Sequence, residues 1–230
     1  MKREPPDWPR AVVFDLDGTL VDSATDIANA LNWAAGKRGL SPFSVDEVKA
    51  MIGGGVPKLV ERALIAKGAS LTDILPLAAD FVQSYKENLT THTTLYDGAR
   101  ELLERLKDEG RLLGLCSNKL HDLTVETLRQ LDIAKYFSAV TVERFGLPRK
   151  PDPAPLLCVL NDLGAAPSGA VMIGDSAADV GCAKAAGVPC VLVGFGYTPV
   201  HVEKLGGDAV IANLAGLAAS FAGLRPVSGA

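Results

Sequence analysis

Four places along this chain carry residue types that do chemistry on an anionic group. Asp15 and Asp17 stand two apart where the apolar run Val12-Val13-Phe14 stops. Ser117 follows a second apolar run, Lys150 stands just before Pro151, and Asp175 and Asp179 follow a third apolar run. Carboxylates brought together repel, and they stay ionised only beside a cation. Mg²⁺ suits such a set, being a hard ion that takes carboxylate, carbonyl, water and phosphate oxygens. A hydroxyl, backbone N–H groups and an ammonium then grip the remaining oxygens of a phosphoryl group and offset its charge in the transition state. The chemistry implied is transfer of a phosphoryl group.

These residues need a scaffold that delivers them to one edge. A buried parallel strand reads as a continuous apolar run, and ligands of open α/β sheets sit beyond the carboxyl ends of the strands. Residues 11–15 form the first such strand, with Gly18 allowing a sharp turn after it. Further strands are expected at 111–116, 139–142, 170–173, 189–193 and 209–212. Helices are expected between them, at 97–110, 121–131, 152–164 and 176–186. Asp97 and Asp152 read as helix N-caps, and Pro153 as the first residue of its helix. Ser117 can cap the helix after it and bind an anion there at once. Alternating strands and helices predict a parallel, Rossmann-like sheet covered on both faces.

Residues 21–91 break this pattern, with helices and no clear strand. Ser23 and Asp26 read as a capping box, and Ser44 with Glu47 as another. Gly53-Gly54-Gly55 interrupts the helices and Pro57 restarts them. No Lys follows at P-loop spacing, so this is not a P-loop. Leu77, Phe81 and Tyr85 fall at i, i+4 and i+8 and read as core packing. The predicted division is a core of residues 1–20 and 92–230 with a helical cap at 21–91, inserted after the first strand. Lys58 and Arg62, one helical turn apart, read either as solvated surface or as contacts for an anionic substrate.

Taken in order, Asp15-Leu16-Asp17-Gly18-Thr19, Ser117-Asn118, Lys150-Pro151-Asp152 and Gly174-Asp175 through Asp179 resemble the four motifs of the haloacid dehalogenase (HAD) superfamily. The resemblance spans about residues 11–212. It implies that Asp15 attacks phosphorus and forms an aspartyl-phosphate, and that Asp17 acts as acid and then base. It further implies Mg²⁺ held by Asp15, the Asp17 carbonyl and Asp175, with Asp179 behind the metal or Lys150. Ser117 and Lys150, helped by Asn118, would hold phosphate. Dehalogenases of the superfamily lack an acid at the position of Asp17, because halide leaves without a proton. The runs 17–23, 53–64 and Gly196-Tyr197 are most similar to bacterial phosphoglycolate phosphatases. The implied activity is therefore Mg²⁺-dependent hydrolysis of a small phosphate monoester such as 2-phosphoglycolate. Phosphatases of sugar phosphates or pyrophosphate, phosphomutases of the beta-phosphoglucomutase type, and a non-catalytic regulator are the alternatives.

Composition narrows the class further. The 230 residues carry a net charge of −4, which argues against a surface built for nucleic acid or anionic membrane. The four cysteines form no Cys-x-x-Cys pair, so free buried thiols and a reducing cytoplasm are expected. Residues 1–10 read as a loose leader without the apolar segment of a signal peptide. The apolar stretch 209–224 is interrupted by Asn213 and Ser220 and is shorter than the roughly 20 residues of a membrane span. The expected partners are a small anionic phosphate ester and, at most, a second copy of the chain, so a monomer or homodimer.

Overall fold

The structure is a computed structural model and describes residues 8–143, 146 and 148–224. Residues 1–7 of the expected leader lie outside the described residues. The rest of that leader is anchored. The Trp8 indole donates to the Ser168 carbonyl at 2.9 Å and meets Phe221 edge-on, and Arg10 N–H bonds the Gly169 carbonyl. A tryptophan three residues before a buried strand can reach the core, so this segment is not loose.

The first strand, β1 (Ala11–Phe14), is the centre of a six-stranded sheet. It leads through β2 (Val21–Asp22) into α1 (Ala24–Gly36), α2 (Val45–Lys49), α3 (Gly55–Ala66) and α4 (Ile74–Glu87). The chain returns through β3 (Thr94–Leu95) to α5 (Ala99–Asp108), β4 (Leu112–Leu120), α6 (His121–Gln130) and β5 (Ala139–Glu143). It closes with α7 (Ala154–Leu163), β6 (Ala170–Gly174), α8 (Ala177–Ala185), β7 (Cys190–Val193), β8 (Ala209–Ile211) and α9 (Leu217–Ser220). The strand order is β5-β4-β1-β6-β7-β8, and every ladder is parallel. After β5 the chain crosses to the other side of β1. The carboxyl ends of β4, β1 and β6 therefore flank the point where the winding reverses, which is where such sheets hold ligands.

Strand alternation splits the core. Val12 and Phe14 face a cluster with Leu103, Leu106 and Leu115, while Ala11 and Val13 face Leu156, Val159 and Met172 on the other side. Both faces are covered, which is why β1 is apolar at every position. Gly114 of β4 sits so close to Val159 that a Cβ there would collide with it, so α7 packs directly on the strand backbone.

The inserted helices have their own core of Leu31, Val60, Leu64, Leu77 and Phe81, which Leu123 of α6 joins from the sheet side. A short antiparallel ribbon, Val21 opposite Leu95 and Asp22 opposite Thr94, ties the way in to the way out. Two-residue strands carry no period, so the sequence could not show them. The Ser44–Glu47 capping box forms as expected. The one expected at Ser23 does not. Asp26 instead reaches across the ribbon and accepts from the backbone N–H of His92 and Thr93 and from the Thr93 hydroxyl. Asp97 is likewise no cap, because Gly98 takes the capping position with φ of +80°. Asp152 caps from one residue earlier than expected, accepting from Ala154 N–H at 2.8 Å ahead of Pro153. Among the described residues no helix is long and apolar enough to cross a membrane.

Asp26 is buried, and among the described residues its carboxylate is the acceptor for the N–H groups of His92 and Thr93. Asp26→Ala leaves these donors unpaired, so a loss of roughly 3 kcal/mol is expected in urea unfolding. Asn at that position recovers part of it.

Candidate active site

The site lies at the carboxyl ends of β1, β4 and β6. Asp15 follows β1 directly, and its N–H bonds the Ile173 carbonyl of β6. Asp175 follows β6, and Asp179 lies in the first turn of α8. One carboxylate oxygen from each of Asp15, Asp175 and Asp179 falls within 4.8 Å of the others. Two of the four expected places thus meet on one spot, although 160 residues separate Asp15 from Asp175 in the chain.

Lys150 holds this cluster. It is 4% exposed, and its ammonium donates to the Cys116 carbonyl at 2.7 Å and to Asp179 Oδ1 at 2.6 Å. Asp15 Oδ1 lies 2.8 Å from the same nitrogen, though not aligned for a hydrogen bond. Burial opposes the Lys150 charge, but Asp15 and Asp179 outweigh it and hold its pKa well above the usual lysine value. Asp179 is fully buried, and its second oxygen accepts from the N–H groups of Asp175 and Ser176 and from the Ser176 hydroxyl. Asp179 and Ser176 form a capping box, so the residue that caps α8 also carries Lys150.

The remaining carboxylates are short of positive charge. Burial pushes the Asp15 carboxyl up to about 6, against the pull of Lys150. Burial, with Asp179 and Asp15 adding to it, raises Asp175 well above the usual range. Among the described residues Asp15 Oδ1 has no hydrogen-bond partner. One lysine among three buried carboxylates leaves a deficit that a hard divalent cation fits. The backbone is shaped for it: Cβ atoms on Gly18 (φ +85°) or Gly196 would run into the Asp175 side chain, and a Cβ on Gly174 into Asp179. Tyr197 N–H fixes the Asp175 carboxylate at 2.7 Å.

The whole chain can be placed beside known proteins at this point. Residues 12–193 match the model of the haloacid dehalogenase-like hydrolases. The chain belongs to the haloacid dehalogenase-like hydrolase family. It is 40% identical over 202 residues to a phosphoglycolate phosphatase of Caulobacter vibrioides, covering 87% of this chain and 85% of that one. It is 35% identical over 207 residues to a phosphoglycolate phosphatase of Agrobacterium fabrum, 89% of each chain. A crystal structure of a predicted phosphoglycolate phosphatase from Haemophilus somnus superposes with a TM-score of 0.86 at 28% identity, over 92% of this chain and 97% of that one.

Within this HAD hydrolase, other expected residues take different surroundings. Ser117 lies inside β4, which runs on to Leu120 with an irregularity after Cys116, so it caps no helix. The α6 N-cap is Leu120, with no side-chain bond. The Ser117 hydroxyl lines a cavity of about 60 Å³ with Asp15 and Asp17. Asn118 is a backbone clamp: its amide exchanges hydrogen bonds with the Lys150 N–H and carbonyl and also donates to the Gly53 carbonyl of the cap. Lys58 and Arg62 line a separate, larger cleft with Arg149, Lys150 and Asp175. Lys58 pairs with Glu61 at 2.6 Å, and Arg62 donates to the Met51 and Ile52 carbonyls behind α2.

Sequence reasoning missed Lys119. It is 7% exposed, donates to Asp17 Oδ1 at 2.9 Å, and donates to the Tyr85 hydroxyl of α4 at 2.7 Å. Ser23 also donates to Asp17 Oδ1, at 2.6 Å. Lysine in an Asn-Lys pair carries no periodic signal; only the extension of β4 past Cys116 turns it inward. Tyr85 packs in the cap core as expected, but its hydroxyl reaches the site.

A carboxyl whose folded pKa lies above its unfolded value contributes stability below the unfolded value near 3.8, and that contribution is lost as pH rises through about 6. With divalent cations chelated, Asp15→Asn is therefore expected to melt at a higher temperature than the parent at pH 7.5, by up to roughly 3 kcal/mol of stability. The difference closes towards pH 4, as calorimetry across that range will show.

Proposed function

We propose that this protein is a Mg²⁺-dependent phosphatase of small phosphate monoesters, acting on 2-phosphoglycolate to release glycolate and phosphate. The observation that carries this reading is Lys150 buried between Asp15 and Asp179, whose carboxylates cluster with Asp175, while Asp17 lines the same cavity as Asp15. The names of the relatives at 35–40% identity support the substrate. The cavity against Asp15 and Asp17 supports a small leaving group, since about 60 Å³ corresponds to roughly two waters.

In this reading Asp15 Oδ attacks phosphorus, and the bond to the ester oxygen breaks with its electron pair going to that oxygen. Asp17 gives its proton to the departing alkoxide, so glycolate leaves as the alcohol. Water then attacks the aspartyl-phosphate and loses its proton to Asp17, and Asp15 is regenerated. Lys150 and the Ser117 hydroxyl hold phosphoryl oxygens throughout, and Asn118 fixes the Lys150 backbone. Asp15, Asp175 and the Asp17 carbonyl would hold Mg²⁺, with Asp179 anchoring Lys150 and the Asp175 backbone. The cation supplies charge that offsets the phosphoryl oxygens and the crowded carboxylates.

The cap at residues 21–91 would close over the core at residues 92–230 and 1–20 and exclude water during attack. Lys58 and Arg62 would meet the anionic ester in the larger cleft. Cys116, Cys182 and Cys190, as free thiols, fit a cytoplasmic setting, and the enzyme would work as a monomer or homodimer without nucleic acid or membrane.

The test is phosphate release from 2-phosphoglycolate, sugar phosphates and pyrophosphate. Mg²⁺ is expected to be required and 2-phosphoglycolate to be preferred. Asp15→Asn should lower kcat by at least about 10,000-fold, and residual turnover near the parent's would overturn the nucleophile assignment. Asp17→Asn should retain binding while losing turnover.

A further inference from the structure

The inner cavity poses a question that the phosphoryl chemistry leaves open. Its walls are largely apolar, from Ile27, Ile52, Val56, Leu59, Phe81 and Leu123. Its floor holds the carboxylates of Asp15 and Asp17. Among the residues lining it, Lys119 is the sole cation. Lys58, Arg62, Arg149 and Lys150 line the other cleft.

Lys119 divides its bonds unequally. Among the described residues it donates to the Tyr85 hydroxyl at 2.7 Å and to both Asp17 oxygens, at 2.9 and 3.2 Å, so its bond to Asp17 Oδ2 is the longest of the three. The Tyr85 hydroxyl accepts from Lys119, and no described residue accepts its own proton. Burial pushes the Tyr85 phenol up to about 12, so it keeps that proton at neutral pH. Two buried donors 2.7 Å apart thus open on a small apolar chamber beside the expected acid. Buried donors of this kind are costly unless something accepts from them.

We infer that Lys119 and Tyr85 form a clamp for the carboxylate of the substrate's leaving group, and that this clamp selects an acid-bearing phosphate ester. The inference rests on the phosphatase reading above. Charge and spacing agree with it. Two bonds separate the ester oxygen of 2-phosphoglycolate from its carboxylate carbon, so the carboxylate oxygens lie within about 4 Å of the ester oxygen. Asp17 would hydrogen-bond that ester oxygen, and the Lys119 ammonium is 2.9 Å from Asp17. A carboxylate oxygen can therefore replace Asp17 Oδ2, the 3.2 Å partner of Lys119, while the other meets the Tyr85 O–H. Such charge-assisted, two-point contacts are among the stronger hydrogen bonds. Lys119 comes from the core and Tyr85 from the cap, so the clamp is complete only with the cap docked. Selection and closure are then one event.

The experiment compares 2-phosphoglycolate with ethyl phosphate, which has the same chain length and no carboxylate. Steady-state constants with Mg²⁺ are measured for the parent, Lys119→Met and Tyr85→Phe, each checked for folding by thermal melting. The ratio of kcat/KM for 2-phosphoglycolate to that for ethyl phosphate should fall about 30-fold in Lys119→Met and about 5-fold in Tyr85→Phe, mainly through KM. Equal losses on both esters would mean that Lys119 only positions Asp17, and would overturn the clamp. Calorimetry on Asp15→Asn, alone and combined with Lys119→Met, gives Kd for both esters without turnover. A parent that hydrolyses neither ester defeats the phosphatase reading. The calorimetry still decides the clamp, which survives if Lys119→Met weakens 2-phosphoglycolate selectively and fails if both esters bind alike.

Discussion

A single buried ammonium organises this protein. Lys150 sits among Asp15, Asp179 and the Cys116 carbonyl, out of water, where an unpaired charge is very costly. Its partners come from the end of β1, from within β4 and from the first turn of α8 after β6, so the charge is satisfied only when β4, β1 and β6 lie side by side. Asn118 fixes the Lys150 backbone in two directions, and the capping box of α8 fixes Asp179. The local rules for a helix start and for a buried ion pair are met by the same carboxylate. Even so, three carboxylates face one lysine. Burial, with the neighbouring carboxylates adding to it, raises Asp15 and Asp175, and this crowding of buried acids makes the site receptive to a divalent cation.

A second charged group, Lys119, repeats the arrangement one residue from Asn118 on the same strand. It serves Asp17 rather than Asp15, and it is shared with the cap through Tyr85. The two lysines divide the site. Lys150 meets Asp15 and Asp179 and lines the larger cleft, while Lys119 meets Asp17 and lines the small cavity that Asp15 also borders. The cap touches the division directly, since Asn118 donates to the Gly53 carbonyl and Gly55 lies against the Asn118 carbonyl. The Gly53-Gly54-Gly55 break is therefore more than an interruption between helices. It lets cap backbone approach the end of β4, where a Cβ on Gly55 would crowd both Glu143 and that carbonyl.

Much of this was legible in the chain. The apolar runs gave the strands to within a residue or two at β1, β5, β6, β7 and β8, because a strand buried on both faces must be apolar throughout. The residues of the charged cluster were legible as types, since Asp15, Asp175 and Asp179 follow those runs and Lys150 stands before Pro151. The errors fall where a side chain bonds something distant in sequence. Ser23 and Asp26 have the spacing of a capping box, yet Ser23 serves Asp17 and Asp26 serves residues 92 and 93, some 66 positions away. Ser117 looked like a cap because nothing local says that β4 continues through Lys119. Parallel pairing with β5 carries it on to Leu120.

The sequence alone determined the order of elements, the burial of the strands and which carboxylates and lysines are available, because these follow from local periodicity and residue type. Tertiary structure decided the partners. Which oxygen each ammonium meets depends on distances between strands that are neighbours only in space, and electrostatic energy changes steeply over those few ångströms. Thus Lys150, visible from its motif, gained its partners only in the fold, and Lys119, invisible in the chain, became a buried cation facing Asp17.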